Sequence, residues 1–297
     1  MPRESRLPDR GRAGTISSMP ALTAYDGTKL AYHLLGEGTP VVCLPGGPMQ
    51  DSAYLGDLGG LSERLRLILV DHRGTGQSAT PTDIASYRCD HLVDDVEALR
   101  DHLGLARMNL LAHSAGANIA VLYAARYPEH VGKLVLVTPS TFAVGIAATA
   151  EARREVVRLR DGELWFGPAS AAFERINAGQ ATDSDWAALA PFTYGRWDAA
   201  AQAHHASGEE QRNIQAAAIF GAEGAFHPEA TRAALATFDA PVFLLAGEVD
   251  VNSPPSAVSE FAGVFPNAKL VTLPGGGHVP WLDDPTWFTT SIADFLE

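Results

Sequence analysis

Short, mainly apolar runs recur along the chain: Val41-Val42-Cys43-Leu44, Leu67-Ile68-Leu69-Val70, Met108 to Ala112, Lys133 to Val137, Val242 to Ala246 and Lys269 to Leu273. Runs of this length without polar alternation predict strands buried on both faces. Between them the period changes. From Arg88 to Leu103 the apolar positions are Leu92, Val93, Val96, Leu99 and Leu103, a helical spacing, and Gly104 follows as a stop. Ala115 to Tyr127 predicts a second helix that ends before Pro128, Ser256 to Val264 a third, and a closing helix starts near Pro285. Ahead of the first long run, Asp26-Gly27 joins two strand-like stretches as an antiparallel hairpin. Strands alternating with helix-length segments predict a parallel sheet covered on both faces.

The rhythm breaks at Pro139. Residues 140–227 are rich in alanine, carry Trp165, Trp186 and Trp197, and show helical stretches but no strand signal. Because strand–helix alternation resumes afterwards, the expected organisation is one α/β core over 19–139 and 228–297 with a helical cap inserted over 140–227. Residues 1–18 hold Arg3, Arg6, Arg10 and Arg12 among Pro, Gly and Ser without an apolar stretch behind them. They predict a disordered leader rather than a secretory signal, and a cytoplasmic location by default.

Composition narrows the function classes. Apolar residues make up 46% of the 297 and charged ones 19%, a globular mixture. The formal charge of −13 argues against a sequence-independent grip on nucleic acid, which runs on clustered Lys and Arg. Cys43 and Cys89 are too few for a disulfide framework, and neither sits in a metal-ligand cluster. No apolar run reaches the ~18 residues of a membrane span. A small molecule or short peptide is therefore the expected partner, with no metal and no cofactor.

The chemistry gathers at three strand ends. Leu110-Leu111-Ala112-His113-Ser114-Ala115-Gly116 puts a serine between a buried strand and a helix. Small residues at 112 and 116 allow the sharp turn that holds a nucleophile outward over a helix N-terminus. A serine hydroxyl needs a base to take its proton, and the base needs a third group to orient it. Asp250 follows the Val242–Ala246 strand, and His278 follows the Lys269–Leu273 strand after three glycines. The order Ser, acid, His fits this architecture. Glu248 is the rival acid, and Asp283 and Asp284 are expected to cap the last helix. For the oxyanion of a tetrahedral intermediate, the backbone N–H of Ala115 and that of Gly47 are the candidate donors, since Pro48 has none.

Other suggestive residues carry less. His113 is expected to pack or hydrogen-bond inside the sheet, and His204-His205 to be a solvated pair rather than metal ligands. Asp71-His72-Arg73-Gly74-Thr75-Gly76 is glycine-rich but lacks both the P-loop ending and the dinucleotide spacing.

The Pro45-Gly46-Gly47-Pro48 loop, the Asp71-to-Ser78 turn, the elbow and the ordered triad, in that chain order, resemble the α/β-hydrolase fold superfamily over about residues 20–297. Within it the chain looks most like the proline iminopeptidases, whose loop reads H-G-G-P-G and whose turn reads D-Q-R-G-x-G-x-S. The resemblance implies that a cap Trp-acid pair, matched by Trp197-Asp198, binds the free amine of the substrate, with Glu223 as a second cap acid. Pro45 stands where that family has a loop histidine, His113 and Ala115 flank the serine in place of glycine and tryptophan, and Asp198 is shorter than glutamate. These departures bear on proline recognition and leave acyl-hydrolase chemistry untouched. The expected function is a serine hydrolase, favoured as an aminopeptidase. A carboxylesterase, lactonase or thioesterase is the main alternative, and an acyltransferase or ligand receptor of the same fold a further one.

Overall fold

The computed structural model describes residues 20–297, so the leader expected over 1–18, and Met19, lie outside the described residues. Eight strands form one sheet: β1 (Ala21–Thr23), β2 (Lys29–Leu35), β3 (Pro40–Leu44), β4 (Arg66–Val70), β5 (Met108–His113), β6 (Val131–Val137), β7 (Val242–Gly247) and β8 (Ala268–Leu273). Their order is β1-β2-β4-β3-β5-β6-β7-β8. The Asp26-Gly27 hairpin pairs β1 with β2, β2 runs antiparallel to β4, and every later pairing is parallel.

The continuous apolar runs have a simple cause. Successive side chains on a strand point to opposite faces, and both faces are covered. Val42, Leu44, Leu110, Ala112, Leu134, Leu136, Leu244 and Ala246 pack to one side, against Leu92, Val93 and Val96 of α1 (Cys89–His102) and Ile119 and Tyr123 of α2 (Gly116–Arg126). Val41, Cys43, Leu67, Leu69, Leu111, Val135, Phe243 and Leu245 pack to the other. As the last strand of the sheet, β8 is only partly buried.

Between β6 and the resumption of the core lie α3 (Ala150–Arg158), α4 (Phe166–Asn177), α5 (Asp183–Ala188), α6 (Ala199–Glu210) and α7 (Ile214–Phe220). Val156, Val157, Ala169, Phe173 and Phe192 make a small cluster of their own, joined by Val249 and Val251 from the loop after β7. This helical segment is therefore seated on the core by an apolar contact. The chain then runs through α8 (Pro228–Leu235), α9 (Pro255–Ala262), the short α10 (Pro280–Asp283) and α11 (Pro285–Leu296). Phe288, Ile292 and Leu296 of α11 cover the second face of the sheet. No helix among the described residues is long and apolar enough to cross a membrane.

The turn after β4 ties the front of the sheet together. Asp71 accepts from Ser52 N–H at 3.0 Å, Ser52 Oγ at 2.7 Å and Gln77 N–H at 2.9 Å. Gly76 lies so close to that carboxylate that a Cβ would strike it. Fully buried Arg73 forks onto Asp95 of α1 at 2.8 and 2.6 Å and reaches Asp26 of the hairpin at 2.6 Å. Removing one partner of a buried pair strands the other charge, at a cost of about 3–5 kcal/mol. Arg73→Met is therefore expected to lower unfolding stability by that amount in urea titration, and a wild-type midpoint would show that Asp95 is solvated rather than buried against it.

Candidate active site

Strand β5 ends at His113 and α2 begins at Gly116, which leaves Ser114 on the turn with φ of 51°. For a residue with a Cβ this left-handed conformation costs about 1–2 kcal/mol. Its surroundings hold it there. Ser114 N–H donates to Val137 C=O at 3.0 Å, and Ser114 C=O accepts from Ala117 N–H at 3.0 Å and Ser140 N–H at 2.9 Å. The absent side chains matter as much: a Cβ on Gly46 would sit 2.8 Å from Ser114 Cβ, and one on Gly116 would sit 2.5 Å from Leu44 C=O. Both glycines let the β3 loop lie directly against the elbow.

His278 reaches this turn from the loop after β8. Its Nε2 lies 2.8 Å from Ser114 Oγ and its Nδ1 2.8 Å from Asp250 Oδ2. Asp250 is fully buried, and its other oxygen accepts from Asn252 N–H at 2.8 Å and Ser253 N–H at 3.1 Å. With the carboxylate so held, His278 carries its proton on Nδ1 and turns the Nε2 lone pair toward the serine hydroxyl. Glu248, the rival acid, is exposed and accepts instead from Gly275 N–H at 2.7 Å.

The β3 loop presents Gly47 to the same point. Gly46 cannot donate to a substrate, because its N–H is already bonded to Tyr54 Oη at 2.7 Å. Gly47 (φ 112°) and Ala115 both line the cavity over Ser114, and among the described residues neither N–H has a hydrogen-bond partner.

Two histidines beside the site have defined proton arrangements. His113 Nε2 is 2.8 Å from the His278 carbonyl, which can only accept, so this nitrogen bears the proton. Nδ1 then accepts from Tyr54 O–H at 2.7 Å, which frees the Tyr54 oxygen to accept from Gly46. Burial holds the His113 pKa well below the ordinary histidine value, so the ring stays neutral. His204 behaves alike: Nε2–H donates to Tyr54 C=O at 2.9 Å and Nδ1 accepts from Tyr194 O–H at 2.9 Å. His204 and His205 are therefore half-buried cavity residues rather than the solvated pair expected from their adjacency.

Over the serine lies a cavity of about 700 Å³, within the range of small-molecule sites. Phe142, Ile146, Ala148, Ile214 and Val279 supply apolar wall, and Arg153 and Arg212 supply positive charge. Among the described residues no Asp or Glu lines it.

That composition corrects the expectations for the cap. Trp197, Asp198 and Glu223 are absent from the cavity wall. Asp198 is the N-cap of α6, accepting from Ala201 N–H at 3.0 Å, with Arg196 3.8 Å away. Trp197 packs at the margin of the second core cluster, 5.5 Å from the Tyr194 ring. Glu223 is exposed on the turn after α7, where its carbonyl accepts from Arg88. Asp284 does cap α11, through Trp287 N–H at 2.9 Å. Asp283 does not. It receives N–H groups from Gly277 at 2.7 Å and Gly195 at 2.9 Å, fastening the His278 loop to the helical segment.

Sequence reasoning missed Tyr54, Arg153 and Arg212. Arg153 had a signal, since it precedes buried Val156 and Val157 by three and four residues and so shares their inward helical face. Tyr54 lies in a single 3-10 turn, Ser52–Leu55, and Arg212 on the link between α6 and α7, both too short for a period to mark the inward side.

Comparison with known proteins places the fold. A family model described as the alpha/beta hydrolase fold matches residues 39–285. The "Putative carbamate hydrolase RutD" of Pseudomonas savastanoi pv. phaseolicola is 28% identical over 260 residues, covering 86% of this chain and 93% of that protein. The esterase RhEst1 from Rhodococcus sp. ECU1013 superposes with a TM-score of 0.71 at 26% identity, covering 94% of this chain and 98% of its own. A proline iminopeptidase from Mycobacterium smegmatis superposes at 0.73 with 20% identity, covering 93% and 97%.

One titration follows from the loop supports. His72 donates from Nε2 to Pro45 C=O at 3.2 Å, and burial lowers its pKa to about 4. Unfolded, the same ring titrates near ~6.5. Between these values the unfolded chain binds more protons, so stability falls as pH drops from about 6.5 toward 4. Between pH 7.5 and 5 this one group is expected to remove about 2 kcal/mol. Chemical denaturation of His72→Gln should show a pH profile flatter by that amount, and an unchanged slope would assign the acid sensitivity elsewhere.

Proposed function

The chain belongs to the α/β-hydrolase family, and we propose that it works there as a serine hydrolase of small carboxylic esters that needs no cofactor. The observation that carries this reading is the hydrogen-bonded series Ser114 Oγ, His278 and Asp250, at 2.8 and 2.8 Å, opening onto a cavity of about 700 Å³. Hydrolase and esterase names among similar proteins support the same reaction class.

In this mechanism Ser114 Oγ attacks the ester carbonyl carbon while His278 Nε2 takes the hydroxyl proton. Asp250 keeps Nδ1–H aligned and stabilises the imidazolium that forms. Negative charge collects on the former carbonyl oxygen, where the N–H groups of Gly47 and Ala115 and the N-terminus of α2 face it. The intermediate collapses, His278 returns the proton to the departing alkoxide, and an acyl-serine remains. Water then attacks the acyl carbon with His278 again as base, releasing the acid and restoring Ser114.

Ester cleavage is favoured over aminopeptidase action by the charge on the wall. A substrate ammonium that leaves water for a protein cavity needs a carboxylate to replace its hydration. Asp198 and Glu223, the acids that could have supplied one, face elsewhere. Arg153 and Arg212 would oppose the ammonium.

A fluorophosphonate probe is expected to label the wild type stoichiometrically and to leave Ser114→Ala unlabelled. On short-chain esters Asp250→Asn should lose about 10⁴ in kcat through a misoriented His278, while Glu248→Gln stays within a few-fold of wild type. Faster turnover of proline β-naphthylamide than of the esters would reverse the ester assignment, and damage confined to Glu248→Gln would reverse the choice of acid.

A further inference from the structure

Arg153 and Arg212 differ from the other arginines near them. On α3, Arg154 pairs with Glu174 at 2.9 Å and Arg158 with Glu151 at 3.1 Å, both on the outer side. Buried Arg160 is also satisfied, by Glu163 at 3.2 Å and Tyr194 C=O at 2.8 Å. Arg153, between these neighbours, turns inward on the face of Val156 and Val157 and lines the cavity. Its Nε is buried and has no hydrogen-bond partner.

Arg212 arrives from another wall. Its backbone forms an antiparallel bridge with Gln50, flanked by Asp51 N–H to Gln211 C=O at 3.0 Å and Asn213 N–H to Met49 C=O at 2.9 Å. The same residues continue directly from the Gly47 loop, so Arg212 is registered to the oxyanion side of the site. Arg212 is exposed, yet surrounding protein is close enough that desolvation lowers its pKa from the ordinary arginine value. Among the described residues no carboxylate pairs with either guanidinium, although the chain carries 35 acidic residues against 22 basic ones.

Burying a guanidinium N–H without an acceptor, as at Arg153 Nε, is unfavourable for the empty protein, and among the described residues no carboxylate offsets either charge on this wall. A planar fork of N–H donors matches a carboxylate well. We infer that Arg153 and Arg212 form a subsite for a carboxylate borne by the substrate, and that the preferred substrate is an anionic ester, such as the half-ester of a dicarboxylic acid. This rests on the serine-hydrolase reading and extends it to a substrate class. The scissile ester sits over Ser114, and the free acid group sits between the two arginines. Hydrolysis of a half-ester then yields an alcohol and a dicarboxylate, so the product gains a negative charge after the proton is lost. The reaction supplying the substrate must attach an alcohol to one end of a diacid or open a precursor to that level.

The test compares matched pairs at equal chain length. Monoethyl adipate is set against ethyl hexanoate, and 5-acetoxypentanoate against pentyl acetate, so that the carboxylate lies in the acyl or in the alcohol half. In at least one pair the anionic ester is expected to have the higher kcat/KM, by ten-fold or more. Arg153→Gln and Arg212→Gln should each lower kcat/KM for that ester by about 10- to 100-fold more than for its neutral twin. Arg212→Lys, which keeps a point charge without the fork, should fall between. Equal rates within both pairs, or a preference that survives Arg153→Gln/Arg212→Gln together, would overturn the proposal.

Failure of the hydrolase reading looks different. It would appear as no turnover of any ester and no fluorophosphonate label on Ser114. Calorimetric titration of adipate then still decides the subsite: binding to the wild type that is lost in the folded double variant upholds it, and equal absence of binding in both rejects it.

Discussion

A neutral imidazole at position 113 holds the site in register. Three loops from different strand ends must meet to within a hydrogen bond, and His113 touches two of them at once. Its Nε2–H fixes the His278 carbonyl at 2.8 Å, and its Nδ1 fixes the Tyr54 hydroxyl at 2.7 Å, which in turn holds Gly46 N–H at 2.7 Å. Every donor in this series has one acceptor, so the direction of each proton is forced. A charged ring would place a second proton against Tyr54 and break the series there. Burial prevents that by depressing the pKa. His113, the residue before Ser114, thus supports both the His278 loop and the Gly46–Gly47 loop.

The strain at Ser114 depends on the same closeness. A left-handed serine persists only where its neighbours leave no alternative. Here the β3 loop fills the space on one side through Gly46, and α2 backs directly against Leu44 through Gly116. The helical segment adds a further clamp: His278 N–H donates to Thr193 C=O at 2.7 Å, and Asp283 joins Gly277 to Gly195. Even the elements above the cavity are therefore wired to the base, and His204 ties α6 to Tyr54 C=O in the same manner.

Much of this was legible before any coordinates. The apolar runs at 41–44, 67–70, 108–112, 133–137 and 242–246 became strands because each is flanked by glycine, proline or acidic turns and both faces are buried. Ser114, Asp250 and His278 were readable because parallel strands deliver their carboxyl ends to one rim, so position in the alternation stands in for position in space. That logic stops at the inserted helices. Trp197-Asp198 matched a pattern, but an aspartate at the start of a helix satisfies backbone N–H groups equally well, and Asp198 does so through Ala201. Asp283 was misjudged for a related reason. An acid just before a helix suggests a cap, whereas its partners Gly195 and Gly277 are brought close only by tertiary packing.

The two layers of the molecule divide the work along physical lines. The proposed acyl transfer requires groups fixed to fractions of an ångström, and Asp250, His113 and His278 sit at or just beyond strand ends where exposure is 0, 4 and 8%. The helical segment adds partly exposed side chains to the cavity wall. A cap carboxylate would draw an amine into the cavity, whereas the guanidinium groups present there suit the acid proposed above. The same charge acts on the proposed chemistry in two opposing senses. Positive charge on the wall favours the oxyanion as it develops and disfavours the imidazolium of His278. Fully buried Asp250, held by Asn252 and Ser253, supplies the opposing negative charge where the imidazolium forms. In the proposed hydrolysis, the separation of a cationic wall from an anionic base support lets one site take an anionic ester and still move a proton through His278.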